Sequence, residues 1–279
     1  MASASRQLSR LSLLAVLAAA GVYALAVGTR WGLHLDAGAI PRGASGPNWD
    51  RAHAALRHAI DTIHLVTIAL AGCAAVMVAL RRGRRDLAAV AAATLVGANL
   101  TTQLLKPLLG RADPFGGEAA REIASAFPSG HATAAMSLAL VAVVVAPRRL
   151  RGWVALAAAG YAGTIGVGLV VRVWHYPSDV VGGFLVAGAW AAAMSAVALA
   201  RREDGDRAPA VPRLPRPPIA SWALPATAAA IAAGLLLREP GEHLHRGLFA
   251  VAALAIASLA LLLPAVLTVV LGRGRAQSR

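Results

Sequence analysis

The sequence predicts an all-α fold, a polytopic bundle of membrane-spanning helices, and two observations lead to this class. Apolar residues make up 58% of the 279 residues and charged residues only 14%, whereas a soluble domain carries roughly 25% charged residues. The apolar residues also form long runs, which repeatedly approach the ~20 residues that a helix needs to cross a bilayer. Between these runs the basic residues are all arginine, with the exception of Lys106.

Eight runs qualify as candidate spans: residues 11–27, 60–80, 87–105, 131–146, 153–171, 180–200, 222–237 and 247–271. The first six predict a six-helix body over residues 1–200, and the last two predict a C-terminal transmembrane hairpin over residues 222–279. Residues 201–221 are rich in proline and arginine, which is typical of a polar, semi-extended linker. The first run also resembles a signal peptide, because Arg6 and Arg10 precede a short apolar core, but a retained helix is favoured.

Arginine placement predicts the orientation of the bundle. Alternate connections place seventeen basic residues on one side of the membrane and ten on the other, and the richer side is cytoplasmic by the positive-inside rule. Both termini are then cytoplasmic in a multi-pass protein of the cell membrane. This topology explains the net charge of +14, since no soluble basic domain is available to bind nucleic acid. We expect the lipid bilayer as a partner, no nucleic acid and no protein partner.

Three polar clusters lie at ends of predicted spans. Lys106 ends the third span, the segment Pro-Ser-Gly-His at 128–131 opens the fourth, and His175 lies between the fifth and the sixth. In the predicted topology all three fall on the side opposite the cytoplasm. We therefore expect them to form one site at the outer border of the membrane.

The first histidine follows a helix start. Ser129 precedes the apolar run as a natural N-cap, which leaves backbone N–H groups and the positive end of the helix dipole available to an anion. Gly130 allows a phosphate to approach the backbone, and His131 can donate a proton to a leaving oxygen. The alternative is an ordinary capped helix that carries an interfacial histidine.

The second histidine has a carboxylate four residues away. His175 and Asp179 share a face if the sixth helix has begun, and Pro177 suits its first turn. An aspartate that accepts a hydrogen bond from one ring nitrogen leaves the other nitrogen free to attack, so His175 is the candidate nucleophile. The alternative places His175 in the aromatic belt at the interface, beside Trp174.

Lys106 and Arg111 supply cationic donors for phosphate oxygens, although a lysine at a helix end can also snorkel to the interface. Four polar residues precede them in the outer half of the third span: Asn99, Thr101, Thr102 and Gln103. Polar residues near lipid usually face the protein interior or a wet cavity. We expect these four to face the inside of the bundle.

No metal or redox cofactor is expected. The single cysteine, Cys73, lies within a span and provides neither a disulfide nor a metal-ligand spacing. No carboxylate cluster suited to a divalent cation accompanies the polar clusters.

The order of the three clusters resembles the type 2 phosphatidic acid phosphatase superfamily. Its first motif is a lysine, six residues and Arg-Pro; its second is Pro-Ser-Gly-His; its third is Ser-Arg, five residues, a histidine, three residues and an aspartate. The second motif is complete here at 128–131, and Lys106, His175 and Asp179 match the others. The chain departs at Asp113, where arginine is expected, and at Gly168 and Leu169, where Ser-Arg is expected.

The resemblance implies a phosphoryl transfer that needs no metal ion. His175 forms a phosphohistidine, His131 acts as acid and then as base, and the amides of Ser129 and Gly130 stabilise the phosphoryl oxygens together with Lys106 and Arg111. The resemblance further implies a lipid phosphate or diphosphate as substrate, such as polyprenyl diphosphate, phosphatidate or phosphatidylglycerol phosphate. A lipid-linked phosphotransferase and an inactive membrane protein of the same fold remain alternatives.

Arg172 is the candidate replacement for the third motif's arginine. It lies three residues after Leu169, about one helical turn further along the same face. Its side chain could then reach the phosphate from a position nearer the aqueous border. The alternative is that Arg172 snorkels into the lipid headgroups.

Overall fold

The structure, a computed structural model, describes residues 4–41, 47–61, 65–110, 127–203 and 243–273. Within these ranges the chain is helical. The helices are α1 (Ala4–Val22, continued by a π-helical turn at Tyr23–Val27), α2 (Arg30–Gly38), α3 (Pro47–Ile60), α4 (Leu65–Arg81), α5 (Arg85–Leu105), α6 (Gly130–Val145), α7 (Arg151–Val171), α8 (Pro177–Glu203) and α9 (His243–Arg273).

The predicted polytopic bundle is confirmed in the described ranges. Five helices are long and apolar enough to cross a membrane, namely α1 with its π turn, α5, α7, α8 and α9. The apolar helices α4 and α6 are shorter. The predicted span at 222–237 and most of the predicted linker at 201–221 lie outside the described residues.

Two helices, α2 and α3, were not predicted. They occupy the connection between the first two predicted spans and are too short or too polar to form an apolar run. Thr29 caps α2, since its hydroxyl oxygen accepts a hydrogen bond from the Gly32 N–H at 2.9 Å. The predicted second span was placed too early, because Ile60 ends α3 and the membrane helix α4 begins at Leu65.

The core lies where α6 and α8 pack against α1, α5, α7 and α9. Alanine is its commonest residue, and the buried rings of Phe184 and Phe249 are among its largest side chains. Small residues let the helix backbones approach closely, which is how helices associate in a bilayer without a hydrophobic driving force. At Gly97, for example, a Cβ atom would lie 2.6 Å from the Trp190 ring.

The outer half of α5 is joined to its neighbours by polar side chains. The Asn99 amide donates to the Ser137 hydroxyl at 3.3 Å, and the Trp190 indole donates to Thr101 at 3.0 Å. The hydroxyl oxygens of Thr102 and Thr133 are 3.0 Å apart and fully buried. These contacts confirm that the polar residues face into the bundle, and they fix α5 against α6 and α8. Gln103 is exposed near the end of α5, but its side chain also reaches α6, since a Cβ atom on Gly130 would lie 3.4 Å from Gln103 Nε2.

Arginines close the opposite end of α6. The Arg82 guanidinium donates to the carbonyl oxygen of Val145, and Arg151 Nε donates to that of Val143 at 3.1 Å. Cations at a helix C-terminus satisfy the last carbonyl groups and interact favourably with the helix dipole. One end of α6 is therefore bonded to arginines, and the other end carries His131.

Candidate active site

The three sequence clusters meet at one end of the bundle. The ring centroids of His131 and His175 are 6.1 Å apart, with the ring planes inclined by 58°. A Cβ atom on Gly130 would lie 3.4 Å from Lys106 Nζ, so the ammonium group stands beside the start of α6. Arg111 lies outside the described residues.

The start of α6 is capped as predicted. The Ser129 hydroxyl accepts a hydrogen bond from the Ala132 N–H at 3.3 Å. The Ser129 N–H itself donates to the carbonyl oxygen of Asp179 at 2.9 Å, and Ser129 is fully buried. This differs from the expectation of a free Ser129 amide, because that N–H is already bonded within the protein. Of the two amides expected to bind phosphate, the one that remains is the N–H of Gly130.

Two glycines in α8 permit this close contact with α6. A Cβ atom on Gly183 would lie 2.7 Å from the Ser129 carbonyl oxygen and 2.9 Å from the Thr133 hydroxyl. A Cβ atom on Gly182 would lie 2.6 Å from the ring of Phe127. The sequence carried no signal for this role, since glycine is common in transmembrane helices generally.

His175 lies just before α8 with its Nδ1 atom turned toward Asp179. Nδ1 is 3.6 Å from Asp179 Oδ2, which is too long for a hydrogen bond, and this buried atom has no hydrogen-bond partner. Asp179 Oδ2 accepts from the Tyr176 N–H at 3.0 Å, so the carboxylate also caps the first turn of α8. Catalytic hydrogen bonds are often long in a ligand-free enzyme. A shift of a few tenths of an ångström would complete this one.

A tight turn at the end of α7 presents His175. The Val173 N–H donates to the Val170 carbonyl and the Trp174 N–H to the Leu169 carbonyl, each at 3.0 Å. This pair of bonds is a Schellman closure, which usually places glycine at the left-handed position. Val173 occupies that position with φ 57°, a strained conformation for a β-branched residue.

Arg172 stands at the same turn, on the site side of the helix end. Its guanidinium carbon lies 5.3 Å from the centroid of the Trp174 ring, and Trp174 in turn lies 5.8 Å from the His131 ring. Leu169, which occupies the motif's arginine position, is fully buried in the hydrophobic core. The cation is therefore displaced by one turn and still adjoins an aromatic ring of the site.

Asp36 was missed by sequence reasoning. Its carboxylate accepts hydrogen bonds from the Ser178 backbone N–H at 3.0 Å and from the Ser178 hydroxyl at 2.5 Å. Both residues are buried. They are separated by 142 positions, and no local pattern in α2 indicated a partner there.

The described residues hold two histidines, a buried carboxylate and a lysine around a helix N-terminus. In the same ranges no group of three or more His, Cys, Asp or Glu side chains could hold a metal ion. Two facing imidazoles can provide a nucleophile and a proton donor. Cations and a helix-start amide suit the oxygens of a phosphoryl group.

Residues 87–203 match the sequence model of the PAP2 superfamily. The matched segment runs from α5 to the end of α8 and contains Lys106, His131, His175 and Asp179. No curated protein and no solved structure matches the chain significantly.

Proposed function

We propose that this membrane protein hydrolyses a lipid phosphate or diphosphate, because residues 87–203 resemble the PAP2 superfamily, whose members are generally phosphatases. The supporting observation is that the ring centroids of His131 and His175 are 6.1 Å apart. Asp179 lies beside His175, and Lys106 lies beside the start of the helix that carries His131.

The reaction proceeds in two steps. His175 Nδ1 faces Asp179, so the attacking atom is Nε2, which forms a bond to phosphorus while the bond to the leaving oxygen breaks. His131 gives its proton to that oxygen, which departs in the lipid alcohol when the substrate is a monophosphate, or in the lipid monophosphate when it is a diphosphate. His131 then takes a proton from water, the water oxygen attacks phosphorus, and the N–P bond breaks to release inorganic phosphate.

Charge on the phosphoryl oxygens is stabilised from several directions. The Lys106 ammonium and the Gly130 N–H lie together at the start of α6, and Arg172 approaches from the end of α7. Ser129 contributes indirectly, since its hydroxyl caps α6 and its N–H is bonded to Asp179. Such fixed donors act on charge that develops in the transition state. Arg111 is a further candidate from the sequence.

A lipid substrate is supported by the position of the site beside membrane-facing surfaces. Leu100, Leu104 and Leu108 follow one side of α5 and its continuation to the site, and all three are at least 55% exposed. A lipid tail can remain in the bilayer beside these residues while its phosphate reaches Lys106. The arginine asymmetry supports an orientation in which this end of the bundle lies outside the cytoplasm.

The test is hydrolysis by the purified full-length protein in detergent with EDTA. The panel contains polyprenyl diphosphate, phosphatidate and phosphatidylglycerol phosphate, and released phosphate is measured. We expect at least one substrate to be hydrolysed, with activity lost in His175→Ala and retained in His58→Ala, an exposed histidine of α3. Absence of phosphate release from all three, or full activity in His175→Ala, contradicts the proposal.

A further inference from the structure

The amphipathic helix α3 packs against the last turns of α7. Leu56 and Ile60 lie on one face of α3, and both approach Gly168 of α7. A Cβ atom on Gly168 would lie 3.2 Å from Ile60 Cδ1 and 3.4 Å from Leu56 Cδ2. Ile60 is 2% exposed, so this contact is part of the packed core. A side chain larger than glycine at position 168 would crowd the side-chain tips of Ile60 and Leu56.

The same face of α3 carries a histidine that reaches the displaced arginine. His53 precedes Leu56 by three residues, and Arg172 follows Gly168 by four, so each pair shares a helix face. Arg172 Nη1 lies 3.5 Å from His53 Nδ1 and 3.4 Å from His53 Nε2. Gly168, which replaces the motif's serine, therefore lies against the apolar side chains of α3, and Arg172, which follows the motif's arginine position by three residues, lies against its histidine.

The Arg172 guanidinium is contacted by two aromatic rings and, among the described residues, by no carboxylate. It contacts the imidazole of His53 and lies over the Trp174 ring. The Nε atom of Arg172 is buried and has no hydrogen-bond partner among the described residues. A guanidinium stacked on a ring keeps its in-plane N–H groups available for an oxyanion such as phosphate.

We propose that His53 is a positioning residue of the active site, which holds the Arg172 guanidinium against Trp174 so that its N–H groups face the phosphoryl oxygens. Helix α3 lies outside the matched segment. By orienting Arg172 it restores an arginine–phosphate contact, which in the third motif is made by an arginine at the position of Leu169. This inference rests on the proposed function and adds to it the residue that orients the phosphate-binding arginine.

The experiment measures the affinity of full-length protein for orthovanadate, a phosphate mimic, together with kcat and KM for the best lipid substrate. Arg172→Ala removes charge-assisted contacts and is expected to weaken orthovanadate binding by roughly tenfold or more. His53→Ala is expected to cause most of the same loss and to lower kcat more than it raises KM. The double variant should bind no more weakly than Arg172→Ala alone, because His53 acts through Arg172.

Two further variants separate positioning from folding. His58→Ala, on the same helix but exposed, should bind orthovanadate like the wild type. His53→Gln keeps a hydrogen-bond acceptor and should recover part of the loss in His53→Ala, at an unchanged thermal unfolding midpoint. Additive effects of the His53 and Arg172 substitutions, or equal affinity in His53→Ala and His58→Ala, overturn the inference.

Orthovanadate binding is followed by the shift of the unfolding midpoint, so the test does not depend on turnover. If the wild type hydrolyses no lipid phosphate but its orthovanadate affinity depends on His53 through Arg172, the proposed function fails and the inference stands. If hydrolysis is normal and His53→Ala changes neither quantity, the inference alone fails. If the wild type neither hydrolyses lipid phosphates nor binds orthovanadate, both fail.

Discussion

Ser178 donates two hydrogen bonds to Asp36, one from its backbone N–H at 3.0 Å and one from its hydroxyl at 2.5 Å. Ser178 directly precedes Asp179 in the first turn of α8, and Asp36 belongs to α2. The carboxylate is 7% exposed and the serine 5%. The N-terminal helices are thus bonded to the segment that carries the His175–Asp179 pair.

Asp36→Ala is expected to lower both stability and turnover. It removes the acceptor of two hydrogen bonds from buried donors of Ser178, and a buried donor that loses its acceptor costs about 1–3 kcal/mol. It also loosens the turn that places Asp179 beside His175, so we expect kcat to fall by at least about tenfold, since small misplacements of catalytic groups are costly. Thermal unfolding in detergent and phosphate release measure the two effects.

Two further variants show whether the effect of Asp36→Ala comes from its contact with Ser178. Ser178→Ala removes the hydroxyl but keeps the backbone N–H bond, so its effects should be smaller than those of Asp36→Ala. Trp31→Ala alters a side chain of the same helix that is 73% exposed and should be nearly neutral. Equal behaviour of Asp36→Ala and Trp31→Ala would show that the Asp36–Ser178 contact is unimportant.

The proposed role of His131 as a general acid predicts that the effect of its loss depends on the leaving group. His131→Ala should reduce turnover of a lipid phosphate by about 10²–10⁴-fold, the usual contribution of a positioned acid. An aryl phosphate with a good leaving group needs little protonation, so its first step should be much less affected. Single-turnover measurements of both substrates give the comparison, and equal losses for the two would argue against an acid at this position.

The same mechanism predicts activity in the presence of EDTA. In the proposed mechanism, protein donors stabilise the charge that metal ions stabilise in metal-dependent phosphatases. Turnover is therefore expected to be unchanged by chelation and by added magnesium. An activity that EDTA abolishes and magnesium restores would require a different mechanism.

Local rules were sufficient to predict much of this site. Ser129 caps α6 and Pro177 begins α8 as expected, because capping and first-turn preferences depend on neighbouring residues. Thr102 bonds across to α6 because a hydroxyl within a bilayer needs a partner in the protein. For Ser129 and Pro177 the preference depends on residues a few positions away, and for Thr102 the requirement for a partner comes from the membrane itself.

Contacts between distant segments could not be predicted in this way. Asp36 and Ser178 are far apart in the chain, and nothing in the residues around either one specifies the other. The amphipathic α3 has no apolar run, so a search for spans passes over His53. Ser129 was expected to offer its N–H to phosphate, but Gly183 brings α8 so close that Asp179 accepts that hydrogen.

Gly183→Ala should therefore disrupt the site. The added Cβ atom would lie 2.7 Å from the Ser129 carbonyl oxygen, which is backbone and cannot rotate away. We expect a loss of about 1–3 kcal/mol in the free energy of unfolding, as for other overpacked cores, and a large loss of turnover. Gly160→Ala is the matched control, since a Cβ atom there meets nothing within 4 Å. Comparable stability of the two variants would contradict the packing argument.

The outward orientation of the site can be tested by labelling intact cells. In a Cys73→Ala background, Asp61→Cys changes an exposed residue at the end of α3, and Arg149→Cys changes an exposed residue between α6 and α7. An impermeant thiol reagent should label the first and not the second, because the positive-inside rule predicts that the arginine-rich side is cytoplasmic. The reverse pattern would place the histidines on the cytoplasmic side.

Val173→Gly is expected to stabilise the protein. Val173 has φ 57° at the turn that carries Trp174 and His175, and a left-handed conformation costs a residue with a Cβ atom about 1–2 kcal/mol. Glycine adopts this conformation freely, although it also gains more freedom in the unfolded chain. We therefore expect a net stabilisation of about 1 kcal/mol or less, seen as a higher unfolding midpoint in detergent.

Turnover in Val173→Gly should remain close to that of the wild type. The two hydrogen bonds that close the turn are made by backbone groups, so the glycine variant can keep the geometry that presents His175. Val173→Ala is the informative comparison, because it removes the β-branch but keeps the Cβ atom and most of the strain. If the alanine variant is stabilised as much as the glycine variant, the cause is side-chain packing and not the left-handed backbone at position 173.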